Sequence, residues 1–431
     1  MRIAFHTIGC RLNQYETAVI RNTFNSDEYT IVAVDEPADI VVINTCTVTH
    51  KSDTDTRRFI TRLRKLNPDV NVALIGCQAQ LQAASMAQWP NVRWVIGNAR
   101  KFDLARILKE FKASSSVYIE TPAIGRDAVV SNPSNIFGID PEHTRANLKI
   151  QDGCDFFCAF CEIPFARGRA RSREFSDIIQ EAKALAGAGH QEIILTGINL
   201  GTYQRGSKSL PDLIKALDDI PKIKRIRISS IEPLAIPNGL IGLMASKTKL
   251  CRYLHLPVQS LHDGTLKAMK RRYSVLQVQT FLRELIQAVP SVCLGTDVIV
   301  GFPGETQDHF DETYHQLKEL PFHYIHVFSY SDRPHAKSRT LEGKVDVPEI
   351  KKRSQKLRDL SRRKRLQFYR SAVGTIMPVL FEQTKDGLWQ GLTDNFIPVA
   401  TQSEKSLKNM IKPVTLQSAD YSGIQGKLNE R

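Results

Sequence analysis

The chain reads as an α/β protein of three bodies: an N-terminal open parallel α/β sheet, a central partial (β/α)6 barrel and a small all-β barrel at the C-terminus. Three observations predict this. Val- and Ile-rich runs alternate with amphipathic helical segments over residues 1–112 and again over 145–345, the pattern of parallel sheets covered by helices. The connection between them, 113–144, breaks the alternation with Ser114, Ser115, Ser116, Pro122, Pro133 and Pro141, and reads as a linker with one short strand, Val117 to Glu120. Beyond a basic connecting helix over 346–372, only short strands remain over 373–431.

In the first body, Arg2 to Cys10 reads as a strand and Asn13 to Phe24 as a helix with Val19, Ile20 and Phe24 as its apolar side. Tyr29 to Val34 is a second strand. Asp39 to Cys46 (DIVVINTC) is almost continuously β-branched, as a parallel strand buried on both faces is. Asp53 to Leu66 is a basic amphipathic helix stopped by Asn67-Pro68. Asn71 to Cys77 (NVALIGC) and Val92 to Gly97 are further strands, and Phe102 to Phe111 completes a doubly wound pattern. Cys10, Cys46 and Cys77 each close a strand, in TIGC, VINTC and LIGC. The carboxyl ends of a parallel sheet share one edge, where ligands bind, so three cysteines placed there converge. Gly9 and Gly76 reduce the bulk beside two of them. Three unrelated buried thiols are the alternative.

The second body opens with Leu148 to Gln151, which leads into Gly153-Cys154-Asp155-Phe156-Phe157-Cys158-Ala159-Phe160-Cys161. Cys154, Cys158 and Cys161 have the spacing C-x3-C-x2-C. A helix would scatter these side chains around its axis, whereas a loop can curl them around one corner of an iron–sulfur cube. No fourth cysteine is nearby, and an incomplete ligand set leaves a metal position open for substrate. Phe160 could shield such a cluster from water. A zinc loop borrowing a distant ligand is the alternative, although zinc ligands usually come as two spaced pairs. Helices follow at Phe175 to Ala188, Leu210 to Ile220, Ile236 to Ala245, Leu276 to Ala288 and Gln307 to Leu320. Strands follow at Glu192 to Thr196, Arg225 to Ser230, Tyr253 to Val258, Val292 to Gly301 and Tyr324 to Tyr330. In such a barrel the strands' carboxyl ends face the site, which places Thr196, Gly197, Glu232 and Gln259 at the mouth with the cysteine loop. Gly301 and Gly304 read as a tight turn, Cys251 and Cys293 as buried thiols, and no histidine falls in a metal-binding pattern.

Composition bounds the partners. A formal net charge of +14 favours a polyanion, nucleic acid or an anionic surface, over a neutral metabolite. Eight cysteines in 431 residues are not a secreted disulfide framework. No apolar run approaches the roughly 18 residues of a membrane span, and MRIAFHTIGC begins as a strand without a signal-peptide pattern. A reducing cytoplasm is the expected location. Arg167, Arg169, Arg171 and Arg173 beside the cysteine loop, and Lys267, Lys270, Arg271 and Arg272, are candidate phosphate contacts, against the alternative of a solvated face. Lys351 to Arg370 is the most basic run, with Ile350, Leu357, Leu360 and Leu366 as a core stripe. The strands after it suggest a barrel of a size often used to bind nucleic acid.

The run IQDGCDFFCAFCEIPFARGRARSR, with TIGCRLNQYET and NTCTVT, resembles the radical S-adenosylmethionine (SAM) methylthiotransferases. The resemblance covers nearly the whole chain, and the C-terminal strands resemble the RNA-binding TRAM domain. It departs at Glu162, where an apolar residue is expected. It implies two 4Fe-4S clusters, one on Cys154, Cys158 and Cys161 and one on Cys10, Cys46 and Cys77. The free iron of the first binds SAM, whose reductive cleavage yields a 5′-deoxyadenosyl radical. The open iron of the second carries the sulfur to be inserted. Phe160, Gly197 and Glu232 are the expected cofactor contacts: Gly197 beside the SAM amino group, Glu232 on a ribose hydroxyl. The motifs look most like the branch that methylthiolates C2 of N6-threonylcarbamoyladenosine at position 37 of tRNA. Branches acting on isopentenylated adenosine in tRNA or on a ribosomal-protein aspartate are the alternatives, and a non-catalytic metal- and RNA-binding protein is another. The partners implied are tRNA and an unidentified electron donor, with no membrane.

Overall fold

The computed structural model describes residues 1–24, 27–114, 116–125, 128–133, 136–140 and 142–429; the linker residues Ser115 and Pro141 lie outside the described residues. The first sheet holds six parallel strands: β1 (Arg2–Thr7), β2 (Thr30–Ile31), β3 (Ile40–Thr45), β4 (Asn71–Gly76), β5 (Val92–Ile96) and β6 (Tyr118–Glu120). Their spatial order is β2-β1-β3-β4-β5-β6. The winding reverses between β1 and β3, and such a reversal opens a crevice at the carboxyl ends of the two strands. Helices α1 (Arg11–Arg21), α2 (His50–Leu66), α3 (Cys77–Met86) and α4 (Leu104–Glu110) cover the sheet. Ile3, Val42, Ile75 and Ile96 build the core on one face, and Ala4, Val41, Val72 and Leu74 on the other. The sequence gives no sign of α3, because CQAQLQAASM carries no apolar stripe and the helix is kinked at Gln82 (φ −127°, ψ 26°). Strand β6 comes from the connecting stretch and adds to the sheet edge, Trp94 opposite Tyr118.

The second body begins with β7 (Arg145–Lys149), the short β8 (Gln151–Asp152), α5 (Ile163–Arg167) and β9 (Arg171–Ser172). β8 and β9 pair antiparallel and close the base of the cysteine loop. The strand–helix repeat continues through α6 (Phe175–Gly187), β10 (Glu192–Thr196), a hairpin of β11 (Gln204–Arg205) and β12 (Lys208–Ser209), α7 (Leu210–Asp218), β13 (Arg225–Ile228) and α8 (Leu240–Ala245). It ends with β14 (Tyr253–His255), α9 (Asp263–Ala268), α10 (Val275–Ala288), β15 (Cys293–Val300), α11 (Gln307–Glu319) and β16 (Tyr324–Ser329). β7, β10 and β13 pair in parallel, as do β14, β15 and β16. Bridges between Ile226 and Leu250 and between Ser230 and His255 join the halves into an open six-stranded barrel in chain order. Leu148, Leu195, Ile226, Leu254, Leu294 and Ile325 face the surrounding helices. Because side chains alternate along a strand, Lys149, Thr196, Arg227, His255, Asp297 and His326 face the other way, so the barrel interior is polar.

Helix α12 (Val347–Ala372) leads to β17 (Ile376–Lys385), β18 (Leu388–Thr393), β19 (Pro398–Thr401), β20 (Ile411–Ala419) and β21 (Ile424–Leu428). These five strands close into a barrel of order β17-β18-β19-β21-β20. Leu357 and Leu360 of α12 sit in the core of the large barrel and Tyr369 and Ala372 in that of the small one, so the helix ties the two together. The small barrel docks on the amino ends of the large barrel's strands. Arg225 donates to the carbonyls of Pro378 (2.6 Å) and Leu392 (2.8 Å), Arg227 to that of Asp394 (2.9 Å), and Arg252 pairs with the Asp394 carboxylate (2.6 Å). It therefore closes the end opposite the cysteine loop. Among the described residues, no helix is long and apolar enough to cross a membrane.

Candidate metal and substrate site

The strands that carry the first cysteine trio end where the sheet topology opens. Cys10 caps α1, Cys46 follows β3 and Cys77 begins α3. Gly9 permits the approach: a Cβ there would stand 2.8 Å from the Cys46 Cβ and 3.1 Å from its sulfur. Gly76 turns the chain in the left-handed region at φ 96°. Cys46 and Cys77 are buried and Cys10 is exposed. Burial pushes the Cys46 thiol up to about 12, and the neighbouring Cys10 and Cys77 sulfurs add to this. Arg167, at the end of α5, donates its Nε to the Cys77 sulfur at 3.1 Å, and the Asn98 amide approaches the same sulfur at 3.5 Å. A residue just past the second cysteine loop thus reaches into the first trio.

The second trio lies in a loop, as the spacing requires. Phe157 within it adopts the left-handed conformation (φ 48°), and the loop is fixed by Ala159 N–H on the Met269 carbonyl (2.9 Å) and Ser338 N–H on the Ala159 carbonyl (2.8 Å). Burial pushes Cys161 up to about 12 and Cys154 up to about 11. Arg271 donates to the Cys158 sulfur at 3.3 Å and pairs with Glu232 at 2.6 Å. Glu232 is thus at the mouth, and its buried carboxyl is pushed up by burial against the pull of Arg271. Phe160 packs with Ala159, Met269, Phe302 and Tyr330 beside Cys161. At Gly197 a Cβ would stand 3.0 Å from both the carbonyl and the Oε1 of Gln151, and that Oε1 accepts the N–H groups of Ile198 and Asn199, each at 2.9 Å. The buried oxygens Thr196 Oγ1 and Asn199 Oδ1, at the end of β10, have no partner among the described residues.

Thiolates are the usual ligands of a cubic iron–sulfur cluster, and each trio supplies three cysteines. A tetrahedral site with bonds near 2.3 Å holds its sulfurs about 3.8 Å apart. Among the described residues, the ligand atoms that all lie within 4.8 Å of one another are those of His255, Asp297 and His326; neither cysteine trio is that tight. Each trio offers three free thiols, with a guanidinium against one sulfur. One cavity joins the two regions: Thr47, Val48 and Thr49, just past Cys46, line it together with Phe160, Cys161, Gln259 and Asp297.

No spacing in the sequence marks the histidines, yet His255 and His326 flank Asp297 at 2.8 and 3.3 Å inside the barrel, and Tyr324 bonds His255 at 2.9 Å. Against the upward push of burial, the two imidazoles hold Asp297 well below the usual carboxylate range. The alternation along β15, which turns Asp297 to the inner face of the barrel, was the available signal. The arginine runs also need correction. Arg167 and Arg173 are buried: Arg167 meets Glu16 and Asp152, and Arg173 meets Glu181 at 2.6 Å. Arg271 is committed to Glu232 and Cys158. These three hold the site together and cannot also grip phosphates. Exposed cations remain on α12, at Lys351, Lys352, Lys356, Arg358, Arg362, Arg363 and Arg370.

Comparison with known proteins agrees with this geometry. The Radical SAM superfamily profile matches residues 148–317, and that of "Uncharacterized protein family UPF0004" matches 2–97. The fold is similar to that of the radical S-adenosylmethionine methyltransferase TsrM from Kitasatospora setae, with a TM-score of 0.57, 14% identity, and 90% of this chain and 80% of that one covered. The class is therefore that of radical SAM enzymes. The chain is 34% identical over 96% of its length to the "Threonylcarbamoyladenosine tRNA methylthiotransferase MtaB" of Aquifex aeolicus, 99% of which is covered. It is 35% identical to the Bacillus subtilis protein of the same name, with 99% of this chain and 96% of that one covered. A "tRNA-2-methylthio-N(6)-dimethylallyladenosine synthase" of Dehalococcoides mccartyi is 33% identical, with 98% and 97% covered. This chain belongs to the radical SAM methylthiotransferase family.

Proposed function

We propose that this chain converts N6-threonylcarbamoyladenosine at position 37 of tRNA to its 2-methylthio derivative, in the cytoplasm, with electrons from an external donor. Cys154, Cys158 and Cys161 would hold one 4Fe-4S cluster, Cys10, Cys46 and Cys77 a second, and Phe160, Gly197 and Glu232 would contact SAM. When bound, these groups supply a primary carbon radical, able to take hydrogen from an unactivated C–H, and the sulfur and methyl group that replace it. In this reading residues 1–112 form the auxiliary-cluster domain, 113–144 a linker, 145–345 the radical SAM domain, 346–372 a connecting helix and 373–431 a TRAM-like RNA-binding domain.

The observation that carries the reading is the shared cavity, lined from both cysteine loops. A step of this kind needs its reacting parts held close together, and a cavity with walls from both regions supports that reading. Phe160 excludes water beside Cys161, and Arg271 holds both Glu232 and the Cys158 sulfur in place. The unpartnered Thr196 and Asn199 oxygens offer polar contacts at the same mouth. The tRNA assignment draws on the relatives and on the cations of α12. That helix runs against β16, from Ser354 beside Ser329 to Ser361 on the Ile325 N–H, and so leads from the mouth toward the small barrel. Mass spectrometry of tRNA nucleosides from cells with and without this protein tests the proposal. Loss of 2-methylthio-N6-threonylcarbamoyladenosine alone supports it. Loss of the isopentenyl counterpart moves the substrate to the other tRNA branch, and unchanged nucleosides refute a tRNA substrate.

A further inference from the structure

Glu162 stands where the resemblance leads one to expect an apolar residue, and the fold gives it a definite use. It follows Cys161 directly, and it is 3% exposed. One carboxylate oxygen accepts from the Thr47 hydroxyl at 2.9 Å and from Arg333 Nε at 3.1 Å. The other accepts the His335 N–H at 2.9 Å. Thr47 follows Cys46 directly and is fully buried. Arg333, 2% exposed, completes the set: it donates to Thr47 Oγ1 at 2.9 Å and to Asp53 of α2 at 2.7 Å. A further bond, His50 N–H on Ser331 Oγ at 3.0 Å, ties the start of α2 to the same turn. So one peptide bond from a thiol of each trio, the two loops are joined through a single carboxylate, hydroxyl and guanidinium.

We propose that Glu162 and Arg333 are positioning residues: a buried clasp that fixes the spacing of the two cysteine loops across the cavity, and so decides how often a radical event ends in sulfur insertion. This rests on the two-cluster reading above. A planar guanidinium can serve Glu162, Thr47 and Asp53 together, and a lysine ammonium, a point charge on a flexible stem, cannot. The partners lie in three separate stretches, residues 47–53, 162 and 333–335, so the clasp pins together segments that chain connectivity leaves independent.

The test uses Arg333→Lys, with Glu162→Gln as a milder variant that keeps neutral bonds to Thr47 and His335. In the metal-free chain, amide exchange over 46–53 and over 159–163 should rise together by about tenfold or more, the equivalent of one charge-assisted hydrogen bond. In the reconstituted enzyme, 5′-deoxyadenosine formation should stay within about twofold while methylthiolated nucleoside per 5′-deoxyadenosine falls by about tenfold, as a sub-ångström misplacement would cause. A purely structural role would lower both yields in step. Exchange that changes around 333–335 and leaves 46–53 untouched overturns the clasp, as does an unchanged product ratio. If the unsubstituted enzyme makes no methylthiolated nucleoside, the proposed function fails instead, and the exchange result still judges the clasp.

Discussion

Replacing Arg167 with Met probes the seam between the two cysteine regions. Arg167 is 1% exposed and donates to Cys77 at 3.1 Å, Glu16 at 2.9 and 3.0 Å, Asp152 at 3.2 Å and Asn13 at 2.6 Å. Lys101 and Lys149 also hold Glu16, at 2.5 and 2.8 Å, and Lys149 holds Asp152 at 2.7 Å. Three cations therefore face two carboxylates, and the edge of Arg167 turned toward Cys77 carries the surplus. Losing one partner of a buried ion pair costs roughly 3–5 kcal/mol when the other charge is left alone. Here both carboxylates keep a lysine, so the loss should fall at the low end, about 3 kcal/mol or roughly a hundredfold in the unfolding equilibrium. The assay is guanidinium unfolding of the metal-free chain in a Trp389→Phe background, which leaves Trp89 and Trp94 of the N-terminal sheet domain as reporters. Reconstituted iron should fall from about eight atoms per chain toward about four, since Cys77 loses its counter-cation. A shift under about 1 kcal/mol with iron at full content would refute the network's role.

Further outcomes follow from the same geometry. Cys154→Ala should abolish both SAM cleavage and product, whereas Cys10→Ala should keep SAM cleavage measurable and lose methylthiolation; equal loss of both would contradict separate roles for the trios. Replacing the exposed Arg358, Arg362 and Arg363 with Gln should make the salt dependence of tRNA binding shallower by about 2 in log–log slope, and an unchanged slope removes α12 from the RNA surface. His323 accepts the Leu294 N–H at 2.9 Å and packs on Phe368, and burial, then Lys364, hold its imidazole down to about 4. Between there and the ordinary value near 6.5 the unfolded chain binds the extra proton. Stability should thus be full above about pH 6.5 and fall by up to ~3 kcal/mol as the pH drops to about 4. Melting temperature against pH should flatten in His323→Asn; a slope equal to the parent's assigns the acid sensitivity elsewhere.

Much of this was legible in the sequence because it is local. Cysteines written at the ends of β-branched runs had to share a sheet edge, and C-x3-C-x2-C could face one point only from a loop. Helix α12 announced its buried stripe through Leu357, Leu360 and Leu366. What stayed hidden depends on contacts between distant stretches. Glu162 finds Arg333 across 171 positions and Arg167 finds Glu16 across 151, and no periodicity marks such pairs. For the same reason Arg167, Arg173 and Arg271 read as phosphate contacts: a charge run looks solvated until its carboxylates are known. Helix α3 lacked a stripe because its buried residues, Cys77, Gln78, Ala79 and Met86, mix polar with small and apolar side chains and the helix is kinked at Gln82. Which end of the large barrel the small one would close was equally invisible, since it rests on Arg225, Arg227 and Arg252 meeting carbonyls and a carboxylate more than 140 residues on.

Iron and sulfide counts on the reconstituted chain and two triple variants test the central claim most directly. The intact chain should hold about eight of each, and both Cys10/Cys46/Cys77→Ala and Cys154/Cys158/Cys161→Ala about four. Zinc without sulfide in the intact chain, or a triple variant that retains the full complement, would contradict two three-cysteine cluster sites facing one cavity.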